Sequence, residues 1–421
     1  FRSGRSFLLA ALVGVIAGCA GVAFHVMSHG IAAFCLEWLV GYHQSGPANE
    51  TQVFELGDAI RPFTPWLLLI VPTLGGLLSG WLVYTFAPEA EGHGTDSAIR
   101  AYHHNRGVIR PRVPIVKMLA SAITLGTGGS GGREGPIAQI GAGFGSWLGS
   151  RLKLTDAERR VLLAAGLGAG IGAIFHAPLA GAIFAVEVLY READFETEAL
   201  IPAFIATTVA YCTFSLVITM LFGTHAFAPL FAVEPGIAFR DPALLGPLAI
   251  LALTMALASW VYVRGFYGIH AAFKRLPISN KLKPAIGAFL TGAIALALYY
   301  GIGAAGYEDH GKDALSVLSF GYGFLQRLLA NPDGNGLIIG VLLLVGVGKI
   351  LTTSFTISSG GSGGVFGPSM VIGGALGGVM GLIFKDIWPQ TVDRIDVFVI
   401  LGMASFFAAA ARTPVSTLIM V

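Results

Sequence analysis

The chain has 421 residues, of which 54% are hydrophobic and 12% charged, with a formal net charge of +2. An ordinary globular domain carries about 25% charged residues, so this composition excludes a well-hydrated soluble surface. It also excludes a disordered, collagenous or disulfide-rich secreted chain, and the near-neutral charge leaves nucleic-acid binding nothing to rest on.

A spanning helix takes about 20 apolar residues. Long apolar stretches run through 6–42, 65–86, 198–222, 244–267, 284–305 and 337–352, and these are predicted to span a membrane. Shorter ones, broken by Gly and Pro, fill 114–149, 161–189, 369–384 and 396–421. These are too broken for simple spans and predict helices that stop partway through the bilayer. Irregular backbone at that depth is tolerated only inside protein or beside a watery cavity. The 58 glycines therefore point to close helix packing and a lined pathway. Cys19, Cys35 and Cys212 lie inside apolar stretches without CxxC spacing, so they read as small hydrophobes and no metal site is expected. The chain has no initiator Met, and apolar sequence starts at Phe7 after Arg2 and Arg5. A chain trimmed at both ends is favoured over a cleaved signal peptide.

The sequence repeats. GGSGGREGP at 128–136 returns as GGSGGVFGP at 360–368, offset 232. HAPLAG at 176–181 matches RTPVST at 412–417 through Pro178 and Pro414, offset 236. Ala32-Ala33-Phe34 matches Ala271-Ala272-Phe273 more weakly, offset 239. Nearly equal offsets imply two related halves, 6–222 and 244–421.

Charges orient the halves. Segment 43–62 has Glu50, Glu55 and Asp58 against Arg61, whereas its counterpart at 274–283 has Lys274, Arg275, Lys281 and Lys283. Segment 100–117 has Arg100, Arg106, Arg110, Arg112 and Lys117 with no acid, and its counterpart near 332–349 has Asp333 and Lys349. Positive loops stay cytoplasmic. Opposite bias in equivalent loops implies an inverted repeat, a transporter-like feature.

Gly132-Arg133-Glu134-Gly135-Pro136 joins a glycine-rich turn to an apolar helix. Pro suits the first helical turn, and free N–H groups at a helix start attract anions. The second copy, Gly364-Val365-Phe366-Gly367-Pro368, predicts a similar helix start. In an inverted repeat the two starts face one point near mid-membrane, making an anion site from backbone dipoles. Glu134 stands where that anion would sit and would block the path until protonated or displaced. An ionisable residue at membrane depth is a functional candidate; the plainer alternative is a Glu that caps the helix. Arg133 reads as structural or field-shaping.

Three motifs compete. Gly128–Gly132 and 360–364 match the GxSxG nucleophile elbow, which needs a strand–turn–helix context and His and Asp partners. An intramembrane serine protease would need only Ser130 and a His such as His176, and stands as a distant alternative. Gly126–Gly131 matches GxGxxG without a βαβ unit. Asn49-Glu50-Thr51 is a glycosylation sequon on the predicted outer side. A cation or neutral-solute pathway is the other transport class, and cations would want carbonyls or acidic rings.

GREGP at 132–136 followed by IAQIGAGFGSWLG, GGVFGP at 363–368, and AAGLGAGIGAIFHAPLAGAIFAVEV at 164–188 resemble the CLC family of chloride channels and chloride/proton antiporters, in order and across the whole chain. The resemblance implies an all-α membrane fold with two inverted halves and discontinuous helices meeting near mid-membrane. It implies a multi-pass cell-membrane homodimer in which each subunit has its own pathway for chloride or similar anions. Glu134 becomes the external gating glutamate, and backbone amides near Arg133, Glu134, Gly135, Val365 and Phe366 would line the outer anion sites. No enzyme activity and no cofactor are implied; the partners are anions, protons and the lipid bilayer.

The sequence departs from the family at four places. The typical GSGIP motif aligns with Gly92-His93-Gly94-Thr95-Asp96, so His93 replaces the Ser of the central anion site. Backbone N–H groups around His93 and Gly94 could still serve the anion, with or without the imidazole. Val188 occupies the internal proton-relay position, next to Glu187, which reads as structural. The family's late anion-site tyrosine and its nucleotide-binding-type tail fall beyond Val421. The resulting expectation is Glu134-gated chloride transport coupled to proton counter-transport, with passive conduction as the alternative.

Overall fold

The computed structural model describes residues 3–50, 53–54, 61–190, 197–223, 227–239, 241–307 and 310–421. Glu55, Asp58 and Thr51, used above for loop charge and the sequon, lie outside the described residues. The first half holds α1 (Ser3–Ala32, continuing as a π-helical stretch Ala33–Val40), α2 (Leu67–Phe86), α3 (Thr95–His104), α4 (Arg112–Gly126), α5 (Glu134–Arg151), α6 (Asp156–Ile174), α7 (Pro178–Glu187) and α8 (Thr197–Phe222). The second holds α9 (Leu245–Arg275), α10 (Lys283–Ala304), α11 (Gly311–Ala314), α12 (Tyr322–Leu329), α13 (Ile339–Ser358), α14 (Phe366–Ile387), α15 (Asp396–Ala411) and α16 (Pro414–Met420). Among the described residues, β pairing is limited to isolated bridges, Gly92 with Ser362 and Gly132 with Gly364.

Among the described residues, seven helices are long and apolar enough to cross a membrane. All six long stretches read from the sequence are among them. The broken stretches at 114–149, 161–189 and 396–421 divide as expected, each into two helices. The stretch at 369–384 does not. It lies within α14, one continuous helix of 22 residues that is long enough to span. Its glycines do not stop the helix because they are contact surface. A Cβ on Gly373 would run into the Gly402 carbonyl, and one on Gly402 into the Gly373 carbonyl. The first half repeats the device, with Gly141 and Gly166 each against the other's carbonyl. Helices in lipid gain little from apolar contact with each other, so close backbone approach through small residues holds them.

The two halves match in backbone detail. Gly128 and Gly360 have φ of 104° and 99°. His176 and Arg412 have φ of 56° and 58°; the residues after them, Ala177 and Thr413, have φ of -130° and -126° with ψ of 72° and 68°, and each leads into a helix with Pro at its start. Positive φ is uncommon for residues with a Cβ, so its recurrence at repeat-related positions marks one turn design used twice.

The halves meet through a reciprocal pair. Gly132 donates its N–H to the Gly364 carbonyl at 2.7 Å, and Gly364 donates to Gly132 at 2.6 Å. Gly131 donates to Ser319 at 3.2 Å, and Gly363 donates to Gly92 at 3.3 Å. Such an antiparallel exchange is what two copies related by a two-fold axis in the membrane plane produce.

Lys117 and Lys349 are not loop charges, as the sequence reading had counted them. Both are fully buried. Lys117 Nζ donates to the carbonyls of Ala90 (3.1 Å) and Gly92 (2.6 Å), ahead of α3. Lys349 Nζ reaches the carbonyls of Ser316, Leu318 and Ser319 at 3.1, 3.2 and 2.8 Å, ahead of α12. A buried ammonium must be hydrogen-bonded to be tolerated, and each lysine thereby ties down a loop that starts a short helix. With both removed from the count, Arg100, Arg106, Arg110 and Arg112 still oppose Asp333, so the charge bias survives.

Candidate anion pathway and gate

The glycine turns bring the starts of α5 and α14 together. A Cβ on Gly132 would crowd the Gly367 backbone nitrogen as well as the Glu134 carboxylate, and one on Gly367 would meet the Tyr322 hydroxyl. Glu134 and Phe366, at the repeat-related first positions of the two helices, are both buried.

Glu134 is wholly inaccessible and its carboxylate reaches into the other half. Oε2 accepts the backbone N–H of Gly367 at 3.2 Å, at the start of α14. Oε1 accepts the hydroxyl of Tyr322 on α12. The sequence predicted a carboxylate competing for helix-start N–H groups. Here the N–H belongs to the second helix start. An ionised carboxylate only accepts, and one that takes two donors away from water is held by charge-assisted bonds.

Tyr322 was missed in the sequence, where the only tyrosine sought lay beyond Val421. Its signal was weak: Gly94 before α3 and Gly321 before α12 both have positive φ, at 88° and 78°. They start equivalent short helices, so Tyr322 stands opposite Thr95, but the residues around them share no motif.

Arg133 points away from the carboxylate it precedes. It is 2% exposed and donates to Glu50 from the loop after α1. His25 Nδ1 and His29 Nε2 lie 3.6 and 3.5 Å from the same Glu50 oxygen. These three residues have the spacing of a metal-ligand set, but the Arg133 guanidinium already lies against Glu50 and 3.4 Å from His25 Nδ1. Burial would raise the Glu50 pKa; the cationic Arg133, with His29 and His25, more than offsets this and holds it well below the ordinary carboxylate range. The guanidinium also lies 5.7 and 5.5 Å from the rings of Phe320 and Tyr322. A narrow cavity of about 50 Å³ is bordered by His29, Glu50, Phe320 and Tyr322, and the Tyr322 hydroxyl donates to Glu134.

Phe366 packs between Phe184 and Phe407, with ring centroids 5.3 and 5.1 Å away. Val365, at the cap of α14, is the neighbouring predicted anion residue. His93 and Gly94 precede α3. The His93 carbonyl occupies the space a Cβ on Gly135 would need, so the start of α3 packs on the first turn of α5. His93 Nε2 is 3.0 Å from Asp96 Oδ2. These residues border a cavity of about 540 Å³ that also takes in Arg100, Arg110, His270 and Lys274.

Val188 caps the C-terminal end of α7. Glu187 beside it accepts the N–H groups of Val415 and Ser416, both at 2.9 Å, and so caps α16. Ser130 pairs with Thr353 Oγ1 at 2.9 Å, while the His176 ring meets the Ala228 carbonyl. Among the described residues Ser130 and His176 make no hydrogen bond to each other.

The family described as voltage gated chloride channel matches residues 75–421. The H(+)/Cl(-) exchange transporter ClcA of Cronobacter sakazakii is 29% identical over 421 residues, covering 98% of this chain and 80% of that protein. The voltage-gated ClC-type chloride channel ClcB of Salmonella dublin is 27% identical over 424 residues, covering 99% and 90%. Among solved structures, a slow cyanobacterial Cl-/H+ antiporter superposes with a TM-score of 0.77 at 23% identity, covering 99% of this chain and 88% of that one. A CLC-type fluoride/proton antiporter gives 0.76 at 21% identity, covering 100% and 90%.

Proposed function

The chain belongs to the voltage gated chloride channel family, and from that premise we propose that it carries chloride across the cell membrane in exchange for protons, with Glu134 as the gate. It is a multi-pass membrane transport protein, not an enzyme. One observation carries the gate assignment: the Glu134 carboxylate occupies the Gly367 N–H at the start of α14, where an anion would bind.

The chemistry follows from that competition. An ionised Glu134 and a bound anion want the same N–H, so they exclude each other. A proton on Glu134 removes the charge that holds it there and frees the donor. Anion arrival and protonation are therefore alternative ways to release the gate, which is what couples the two ions. Backbone groups at Arg133, Gly135, Val365 and Phe366 serve the outer anion, and those at His93 and Gly94 the inner one. Arg133, engaged by Glu50, shapes the field rather than binding the anion directly.

Residues 6–222 and 244–421 act as the two half-repeats. The working assembly is a homodimer, supported by the family resemblance, with exposed apolar side chains on α8 such as Met220 and Leu221 available to a second copy or to lipid. Chloride is cargo, and the reading calls for no cofactor. Passive conduction is the second reading; Val188 in place of a relay acid favours it, and one relative is named a channel.

The test is purified full-length protein in chloride-loaded liposomes, recording chloride efflux and external pH together. Chloride efflux that drives protons inward against their gradient supports exchange. Efflux without proton movement turns the reading to conduction. No anion flux from folded protein overturns the pathway itself.

A further inference from the structure

Gln326 stands one helical turn after Tyr322 on α12, so both side chains leave the same face of that helix. Its Oε1 accepts the backbone N–H of Ala48 at 3.1 Å and that of Ala232 at 3.0 Å. Its Nε2 donates to the Ala232 carbonyl at 2.8 Å. Two N–H groups thus converge on one end of the amide and a carbonyl on the other. That fixes which end is oxygen, because the reversed amide would set its NH2 against both N–H groups.

The two segments that Gln326 grips both bear on the gate. Ala48 lies two residues before Glu50, which engages Arg133. Ala232 follows Phe231, whose ring meets the Tyr322 ring edge-on, with centroids 5.7 Å apart and planes at 88°. Asn49 Nδ2 donates to the Pro229 carbonyl at 2.8 Å, so the segments are also fastened to each other. The Tyr322 ring is bounded by Phe231, by the Phe320 ring at 6.1 Å and by the Arg133 guanidinium at 5.5 Å. Of these neighbours, Phe231 and Arg133 depend on segments that Gln326 holds.

We propose that Gln326 is a positioning residue for the gate: its carboxamide fastens both segments to α12 and so keeps the Tyr322 hydroxyl on the Glu134 carboxylate. The role rests on the reading of Glu134 as the gate. The helix itself does not need the amide, because Leu325, Leu328 and Leu329 are buried and Arg327 pairs with Asp313 at 2.6 Å. What Gln326 adds is the link between α12 and the segments that cover Tyr322. Hydrogen bonds weaken steeply with angle, whereas apolar contact is non-directional. A ring that can tilt therefore loses the aim of its hydroxyl before it loses its burial. Loosening the cover releases the carboxylate without unfolding the site.

The experiment is chloride efflux from liposomes at neutral pH, with full-length protein as native, Gln326→Leu, Tyr322→Phe and the double variant, and with Gln326→Leu also placed on Glu134→Gln. Gln326→Leu removes the amide and leaves the N–H groups of Ala48 and Ala232 at exposed positions, where water replaces it. Flux should rise roughly threefold or more, though less than in Tyr322→Phe, and the pH profile of flux should move with it. With Tyr322→Phe already present, Gln326→Leu should add nothing, because the hydroxyl it aims is gone. The same holds on Glu134→Gln. A merely structural role would lower the unfolding midpoint in every background and leave flux unraised. Should Gln326→Leu fail to fold, Gln326→Glu carries the same test: it keeps size and the acceptor but sets an oxygen against the Ala232 carbonyl. Native flux in the folded variant overturns the proposal, as does a rise that persists in full with Tyr322→Phe. Failure of the gate reading shows separately, as a Glu134→Gln protein that keeps the native level and pH dependence of flux. A Glu134→Gln protein freed of pH dependence, beside a Gln326 variant at native flux, sinks the positioning role alone.

Discussion

The Tyr322 hydroxyl donates to the Glu134 carboxylate across the boundary between the two halves. The same carboxylate takes the Gly367 N–H with its other oxygen. Two donors from the second half thus hold a carboxylate of the first.

Tyr322→Phe removes one of these two donors and leaves the ring. A hydrogen bond to a charged group contributes about 1.5–3 kcal/mol, so the carboxylate should leave its site roughly tenfold more often or better. Anion flux at neutral pH should rise accordingly in liposomes. Flux equal to that of the native protein would show that Tyr322 does not hold the gate.

Glu134→Gln removes the charge and keeps the shape. Chloride flux should become insensitive to external pH, and proton movement coupled to it should disappear. Retained proton counter-flux would mean that protons bypass this position.

Glu50 and Arg133 make a second prediction about acid, this time for stability. The folded-state pKa of Glu50 lies well below its ordinary value because the Arg133 guanidinium, with His29 and His25, more than offsets the effect of burial. A depressed carboxylate contributes stability that is fully present above its unfolded pKa of about 4.3, and that contribution is lost as the pH falls through the lower folded value. Thermal unfolding in detergent should therefore show a midpoint that drops below about pH 4, with a shallower drop in Glu50→Gln. At neutral pH the same variant leaves a buried guanidinium short of its charge partner, at a cost of about 3–5 kcal/mol. Equal midpoints for both proteins across the range would remove the pair from the stability account.

Gly141 and Gly166 allow α5 and α6 to touch backbone to backbone. Gly141→Ala places a methyl against the Gly166 carbonyl, and over-packing of this kind costs about 1–3 kcal/mol. The midpoint should fall, and α5 carries Glu134, so gating should be perturbed too. A variant as stable as the native chain would show that the helices have room to part.

Lys349→Met keeps the length of the side chain but strips the donor from the carbonyls of Ser316, Leu318 and Ser319. Each buried acceptor left unpaired costs about 1–3 kcal/mol. The turn that places Tyr322 should loosen, so flux should rise as in Tyr322→Phe, together with a lower unfolding midpoint. A midpoint drop without any change in flux would confine the lysine to a structural role.

Much of this architecture was open to reading before any fold was known. Long apolar runs need lipid, and two copies of one glycine turn at a constant offset require two similar helix starts. Those are local properties, set by hydropathy and by the few residues that tolerate a turn. Glu134 was legible for the same reason, as an acid between a glycine turn and a helix-starting proline, with Phe366 in the repeat.

Other features depend on who meets whom in three dimensions. Lys117 and Lys349 read as loop cations because charge normally seeks water, and only the tertiary structure supplies the carbonyls that make their burial tolerable. The glycines of α14 read as breaks because glycine weakens isolated helices, whereas here Gly373 is met by the Gly402 backbone. Tyr322 is separated from Glu134 by 188 residues, and no spacing rule joins them. Composition and repetition determined that this is a two-fold helical membrane protein with an acid at a helix start. Which donors close on that acid, and which cations are silenced inside, were decided by the packing of one half against the other, because hydrogen bonds shut away from water go only to the partners the fold delivers.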